Sequence, residues 1–229
     1  MTGSIFNSHD NSMLTWLHDW LHHLIAIWFQ WVQDWGYLGV IILMAMESSI
    51  FPVPSEVVMP PAAILAGQGK MNLWGVILAG TFGSWLGSAI TYAVSRWLGR
   101  PFVLRFGKYF FISPEKLERA EAFMLRYEAG GIFFARLLPV VRHLISIPAG
   151  LVRMPFGKFS LMTTVGSFLW CAILSWYGQD VGKRHPEILN DPAKLVEAIK
   201  AESMGIVVAV VVIGALYFLM LRLTGKKAA

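Results

Sequence analysis

The chain has 229 residues, 56% of them hydrophobic, 14% aromatic and only 14% charged, with a mean hydropathy of +0.57. Soluble domains average about 45–50% apolar and about 25% charged residues, so this composition excludes a soluble globular fold and disorder, and the single Cys171 excludes an intramolecular disulfide. The net charge of +5 is the Lys and Arg excess expected of short cytoplasmic loops rather than a nucleic-acid surface, and the length suits one all-α integral membrane domain of a few spans.

The N-terminus lacks a basic n-region followed by an apolar core and a cleavage site, so no removable signal peptide is expected. Trp16, Trp20, Trp28, Trp31 and Trp35 recur at helical spacing and form one stripe. Trp favours the bilayer interface, so 12–34 reads as an interfacial amphipathic helix, with a shortened span as the competing reading. His18 and His22 stand at i and i+4 with His9, Asp19 and His23 nearby, but no further ligand has suitable spacing, and no metal is expected.

Trp35–Met46 is apolar but too short to span. It runs into Glu47, the Phe51-Pro52-Val53-Pro54-Ser55-Glu56 segment, and then Val57–Gly69 with Pro60 and Pro61. Prolines remove backbone donors, and in hydrocarbon the freed carbonyls need protein or water partners, so this stretch reads as a re-entrant hairpin of two half-helices. Met71–Ser95 is free of charge and long enough to cross the bilayer. Arg96–Glu128 then carries Arg96, Arg100, Arg105, Lys108, Lys116, Arg119 and Arg126, interspersed with Phe102, Phe106, Tyr109, Phe110 and Phe111. It reads as a cytoplasmic amphipathic segment able to rest on anionic lipid.

A second broken stretch, Ala129–Ala135 followed by Arg136, Pro139, Arg142, His143, Pro148 and Gly150, reads as a second re-entrant hairpin, and Phe159–Gln179 as a second span. Acids outnumber bases in 180–202, which places that connection outside, whereas Arg222, Lys226 and Lys227 after the third span, Ser203–Leu221, place the C-terminus in the cytoplasm. The expected organisation is an interfacial helix (1–34), a membrane domain (35–182), a periplasmic connection (183–202), and a C-terminal transmembrane helix with a basic tail (203–229). Within the membrane domain, two repeats (35–99 and 129–182) are joined by the amphipathic segment 100–128.

The repeats align without gaps at an offset of 83 residues. Ile64, Ala66, Gly67 and Met71 match Ile147, Ala149, Gly150 and Met154; Leu78, Thr81, Gly83, Ser84, Leu86, Ala89, Ile90 and Gly99 match Leu161, Thr164, Gly166, Ser167, Leu169, Ala172, Ile173 and Gly182. Opposite span directions make the repeats inverted, an architecture that secondary transporters use to build a site at the bilayer midplane. Gly80, Gly83 and Gly87 suit close helix packing.

Glu47, Glu56, Arg136 and Arg142 sit in or beside the broken helices. Each charge at the bilayer centre costs about 2.5–3.5 kcal/mol on insertion scales, so pairing or a wet cavity is required. One reading is ion pairing that locks the hairpins together; the other is a site. A guanidinium fork matches phosphate oxygens, which suits Arg136 and Arg142 to an anionic headgroup. A desolvated carboxylate can exchange a proton near neutral pH, which suits Glu47 and Glu56 to proton coupling. Half-helix N-termini add positive dipole ends, and His143 is a lesser candidate for proton exchange.

Glu47 with Pro52, Pro54, Ser55 and Glu56, then Gly83, Leu86, Gly87, Tyr92 and Gly99-Arg100, then Phe134-Ala-Arg136-Leu-Leu-Pro139-Val-Val-Arg142, Pro148-Ala149-Gly150, Met154, Phe159, Gly166 and Trp170 together resemble the DedA family of bacterial inner-membrane proteins, which carry the VTT domain. The resemblance covers roughly 36–182. It implies translocation of undecaprenyl phosphate or phospholipid with dependence on the proton motive force, with the family's paired acids on Glu47 and Glu56 and its paired arginines on Arg136 and Arg142. Many members have Asp where this chain has Ser88.

The expected function is therefore a flippase for a lipid phosphate, most readily undecaprenyl phosphate, in the bacterial inner membrane. Arg136 and Arg142 would hold the phosphate, Glu47 or Glu56 would exchange a proton, and Pro52, Pro54, Ser55, Pro139, His143, Pro148 and Gly150 would support the hairpins. Phospholipid scrambling, proton-coupled ion or drug exchange, a membrane scaffold, and a polyprenyl diphosphate phosphatase are the alternatives. The last has only the Glu47 to Ser55 segment in its favour and lacks the Ser-Gly-His and second Ser-Arg-Ser-Gly motifs. No cofactor signature is present, and the oligomeric state is left open, a homo-oligomer included.

Overall fold

The computed structural model describes residues 23–24, 27–49, 54–107, 114–138 and 141–184, whose regular structure is all helical. The span expected at 203–221, residues 185–202, most of the N-terminal interfacial helix with its histidines 9, 18 and 22, and the prolines Pro52 and Pro139 lie outside the described residues.

A helical stretch at 27–35 ends at Gly36, whose φ of 55° favours glycine. The chain turns there into α1 (Tyr37–Glu47), and Ser48 and Ser49 end that helix with N–H bonds back to Met44 and Met46. The next helix, α2 (Ser55–Gly67), follows Pro54, whose extended backbone makes it the N-cap. Thus α1 ends at Glu47 and α2 begins at Ser55, while Pro60 and Pro61 lie inside a continuous helix. Proline there removes the bonds to the Glu56 and Val57 carbonyls, and tertiary packing sustains the helix across the gap.

Asn72 caps α3 (Leu73–Gly107), its Oδ1 accepting from the Trp74 and Gly75 N–H groups at 2.9 and 3.2 Å. Tyr37 Oη accepts from the Asn72 N–H at 2.7 Å and ties the starts of α1 and α3 together. The helix does not stop at Ser95: it continues into the basic segment through a kink at Gly99 (φ 72°), two residues before Pro101. Downstream, α4 (Pro114–Arg136) runs unbroken through Gly130 and Gly131, so the amphipathic segment from Pro114 onward and the expected half-helix from Ala129 are one element. Two short helices, α5 (Val141–Leu144) and α6 (Ser146–Leu151), lead into α7 (Phe156–Arg184).

Two helices, Leu73–Gly99 and Phe156–Arg184, are long and apolar enough to cross a membrane; at about 1.5 Å per residue both exceed the roughly 30 Å hydrocarbon core. Each shows a stripe of exposed apolar side chains, Trp74, Leu78, Phe82, Ile90, Val94 and Trp97 on α3 and Leu161, Val165, Leu169 and Trp176 on α7. Spacings of three, four, seven and eight residues keep each stripe on one helix face, and Trp74, Trp97 and Trp176 stand at its ends as at a bilayer interface. The opposite faces bury small polar residues, Thr81, Ser84, Ser88, Thr91 and Ser95 on α3 and Thr163, Ser167 and Ser175 on α7.

Packing is exchanged between the halves. The arm α2 packs on α7, and the arm α6 packs on α3, while α1 and α4 pack on the long helix of their own half. Glycines permit the close approaches: a Cβ on Gly178 would lie 2.5 Å from Pro60 Cα, and one on Gly150 would meet the Tyr92 carbonyl. Gly87 lies against the backbone of Ala45, which no side-chain rotation relieves. Gly87→Ala is therefore expected to lower stability by about 1–3 kcal/mol, the range for overpacking, as a drop in unfolding temperature in detergent.

Candidate functional site

The buried charged residues among those described are Glu47, Arg136 and Arg142, which are 1%, 3% and 6% exposed. Glu47 is the last residue of α1, where the helix dipole disfavours a carboxylate. It turns instead to the start of α2: Oε1 accepts the Ser55 backbone N–H at 2.8 Å, satisfying one of the N–H groups a helix N-terminus leaves free. The same oxygen is ion-paired with Arg142 Nη2 from α5. One carboxylate thereby joins the break between α1 and α2 to the second broken stretch.

Ser55 and Trp170 complete this knot. Arg142 Nη2 donates to Ser55 Oγ at 2.6 Å, and Trp170 Nε1 donates to the same oxygen at 3.1 Å. The Trp170 ring lies against the guanidinium, 5.1 Å from centroid to Cζ, a geometry that favours a cation. His143 Nδ1 lies 3.1 Å from the Glu47 carbonyl oxygen; a carbonyl only accepts, so this nitrogen carries the hydrogen. Glu47 Oε2 is buried without a hydrogen-bond partner.

Arg136, the last residue of α4, is held differently. Its Nη2 donates to Ser146 Oγ at 2.7 Å, its Nε is buried without a partner, and no described carboxylate pairs with it. Gly166 makes room for it, since a Cβ there would lie 2.7 Å from Arg136 Cβ. A buried cation without a counter-ion costs several kcal/mol after relaxation, and among the described buried residues one acid stands against two arginines.

Of the other expected residues, Glu56 is partly buried in the first turn of α2 and forms no ion pair among the described residues. Pro54 is exposed at the N-cap, whereas Pro148 and Gly150 are buried in α6. Ser88 is buried and its Oγ donates to the Ser84 carbonyl at 2.6 Å, so it is satisfied within its own helix. The charged constellation thus divides into a locked pair, Glu47 and Arg142, and two residues outside it, Arg136 and Glu56. Sequence reasoning gave no role to Ser146, and singled out Trp170 only as part of a motif; a polar residue on an otherwise apolar helix face was the available signal. Among the described residues, no three His, Cys, Asp or Glu cluster as metal ligands.

Comparison with known proteins identifies the family. The VTT domain matches residues 53–180. Undecaprenyl phosphate transporter A of Bacillus subtilis is 34% identical over 201 residues, covering 88% of this chain and 96% of that protein. The protein of the same name from Staphylococcus aureus is 28% identical over 145 residues, 62% of this chain and 71% of that one. An alkaline phosphatase-like protein of Lactococcus lactis subsp. cremoris is 32% identical over 203 residues, 86% and 90% of the two chains. No solved structure matches. The chain is a membrane protein and belongs to the DedA family, whose members carry the VTT domain.

Proposed function

We propose that this protein moves a lipid phosphate, undecaprenyl phosphate in the first instance, across the bacterial inner membrane, and that protons drive the cycle. The observation that carries this reading is the buried Arg136, which pairs with no carboxylate among the described residues, while Arg142 is locked by Glu47. A phosphate brings the negative charge that the centre lacks and the acceptor oxygens a guanidinium fork matches. The isoprenoid tail stays in the bilayer, so only the headgroup needs a polar path.

In this reading Glu47 is an internal stand-in for the phosphate. Its carboxylate occupies the Arg142 guanidinium and the N-terminus of α2 together, the two features that suit a phosphate. Protonating Glu47 removes its charge and frees Arg142 to join Arg136 on the headgroup; deprotonation closes the lock and expels the ligand. Glu56, partly buried at the first turn of the same helix, passes the proton to and from water. The re-entrant hairpins, the inverted repeats 35–99 and 129–182, a cytoplasmic C-terminus and an outside 183–202 connection belong to this proposal. The exchanged packing of α2 and α6 supports it, as do helix starts at Leu73 and Phe156 that keep the offset of 83 residues.

The test is transbilayer movement of undecaprenyl phosphate in proteoliposomes with and without a pH gradient. Wild type is expected to respond to the gradient, and Glu56→Gln to retain slow movement without that response. A Glu56→Gln protein as gradient-responsive as wild type would remove Glu56 from the proton path. Equal movement of phosphatidylglycerol would broaden the substrate to phospholipids. The relatives named alkaline phosphatase-like make inorganic phosphate release the necessary parallel assay: release that tracks protein concentration would replace transport by hydrolysis.

A further inference from the structure

A second polar cluster lies at the far end of α3, away from the Glu47 knot. Tyr92 is 2% exposed; its hydroxyl donates to the Met154 carbonyl and accepts from Arg96 Nη1 at 2.8 Å. This fixes the root of an otherwise exposed guanidinium, which also lies 6.0 Å above the Tyr92 ring. Among the described residues, Arg96 Nε and Nη2 make no further side-chain hydrogen bond and no carboxylate pairs with the guanidinium. Beside it opens a groove of about 450 Å³ lined by Tyr92, Ala93, Val94, Trp97 and Phe156. Trp97 at its edge is 92% exposed, as an indole at a bilayer interface would be.

Backbone strain at the same place is an independent observation. Arg153, in the turn between α6 and α7, has φ 53°, alone among the described non-glycine residues in taking a positive φ. The corresponding turn after α2 makes its two closing bonds through Gly69 and Lys70, and there the positive φ of 76° falls on glycine. A left-handed conformation disfavours a β-carbon by about 1–2 kcal/mol, so an arginine at this position carries a cost that glycine would avoid. Arg153 precedes the residue whose carbonyl holds Tyr92, and a Cβ on Gly150 would lie 3.1 Å from the Arg96 backbone nitrogen. Arg96 therefore lines the apolar groove, and the exposed Arg153 stands in the turn whose next residue holds Tyr92, just before the first turn of α7 and its positive dipole end.

We propose that this groove is an interfacial docking site for an anionic membrane phospholipid, its phosphate on Arg96 and Arg153 and the upper part of an acyl chain against Val94, Trp97 and Phe156. The site is separate from the Glu47, Arg136 and Arg142 centre and stands whichever lipid that centre carries. Charge complementarity selects the occupant: a zwitterionic headgroup offers the same phosphate but places its own cation beside the arginines.

The test is retention of phosphatidylglycerol against phosphatidylcholine by the purified full chain, read by native mass spectrometry over a lipid titration. Arg153→Gly removes the charge while relieving the backbone, so loss of binding in that variant is not loss of fold. At about 1 kcal/mol per basic residue near a membrane surface, Arg96→Gln and Arg153→Gly are each expected to weaken phosphatidylglycerol binding about 5-fold and the double variant about 25-fold. Phosphatidylcholine binding and the exposed Arg105→Gln control should stay unchanged. Wild-type phosphatidylglycerol affinity in the double variant, or an equal loss in Arg105→Gln, would overturn the site. Because the readout is binding, a failure of transport leaves it intact.

Discussion

Glu47→Ala is expected to destabilise the protein by about 3–5 kcal/mol, the cost of leaving one member of a buried ion pair without its partner. The substitution strands the Arg142 guanidinium among Ser55 and Trp170 and removes the acceptor from the Ser55 N–H at the start of α2. Arg142→Met should cost a similar amount for the mirror reason, since it strands the carboxylate. The double variant should be less destabilised than the sum of the two by well over the roughly 0.5 kcal/mol within which independent sites add. Unfolding in detergent micelles, followed for the four proteins of the cycle, reads this coupling. Additive losses would mean that the pair does not hold the two broken stretches together. Glu47→Gln refines the point: its amide oxygen can still accept from Ser55, so it should be milder than Glu47→Ala while removing the charge that holds Arg142. If protonation of Glu47 is what frees Arg142 for the headgroup, that variant binds lipid phosphate with little sensitivity to a pH gradient.

The sequence made the elements legible where composition forces the answer. Uninterrupted apolar runs placed α3 and α7 within a few residues of their starts, because no alternative conformation satisfies a backbone in hydrocarbon. Proline is an ambiguous signal here: Pro54 stands at the N-cap of α2, whereas Pro60 and Pro61 sit within that helix. The missing hydrogen bonds are a local cost, whereas the packing of α2 on α7 through Gly178 is a tertiary gain that no local pattern displays. The continuation of α3 beyond Ser95 was hidden in the same way, since the chain bends at Gly99 without ending the helix. At the site, the cost of buried charge singled out Glu47, Glu56, Arg136 and Arg142 before any contact was known. Which acid meets which arginine depends on neighbours 95 positions apart in the chain, and periodicity carries no information about that. Ser55, Trp170 and Ser146 matter only because the fold brings them to a charge.

Arg136 should behave in the opposite way to Glu47. Arg136→Met is expected to leave the protein as stable as wild type or more so by about 1–2 kcal/mol, because it removes a buried cation with no described carboxylate partner and keeps most of the side-chain volume above Gly166. Lipid-phosphate movement in proteoliposomes should nevertheless fall about 100-fold, the loss of a charge-assisted contact worth up to about 3 kcal/mol. Arg136→Lys should recover part of that activity as a point charge without the planar fork. The two readouts separate the roles that a buried arginine can have. An Arg136 that holds the fold would lose stability and activity together in the methionine variant. A stable protein that still moves lipid phosphate at the wild-type rate would remove Arg136 from the path. Only an anion-binding role joins retained stability to lost transport, and it follows from the same imbalance of charge that sets Arg136 apart from the Glu47 and Arg142 pair.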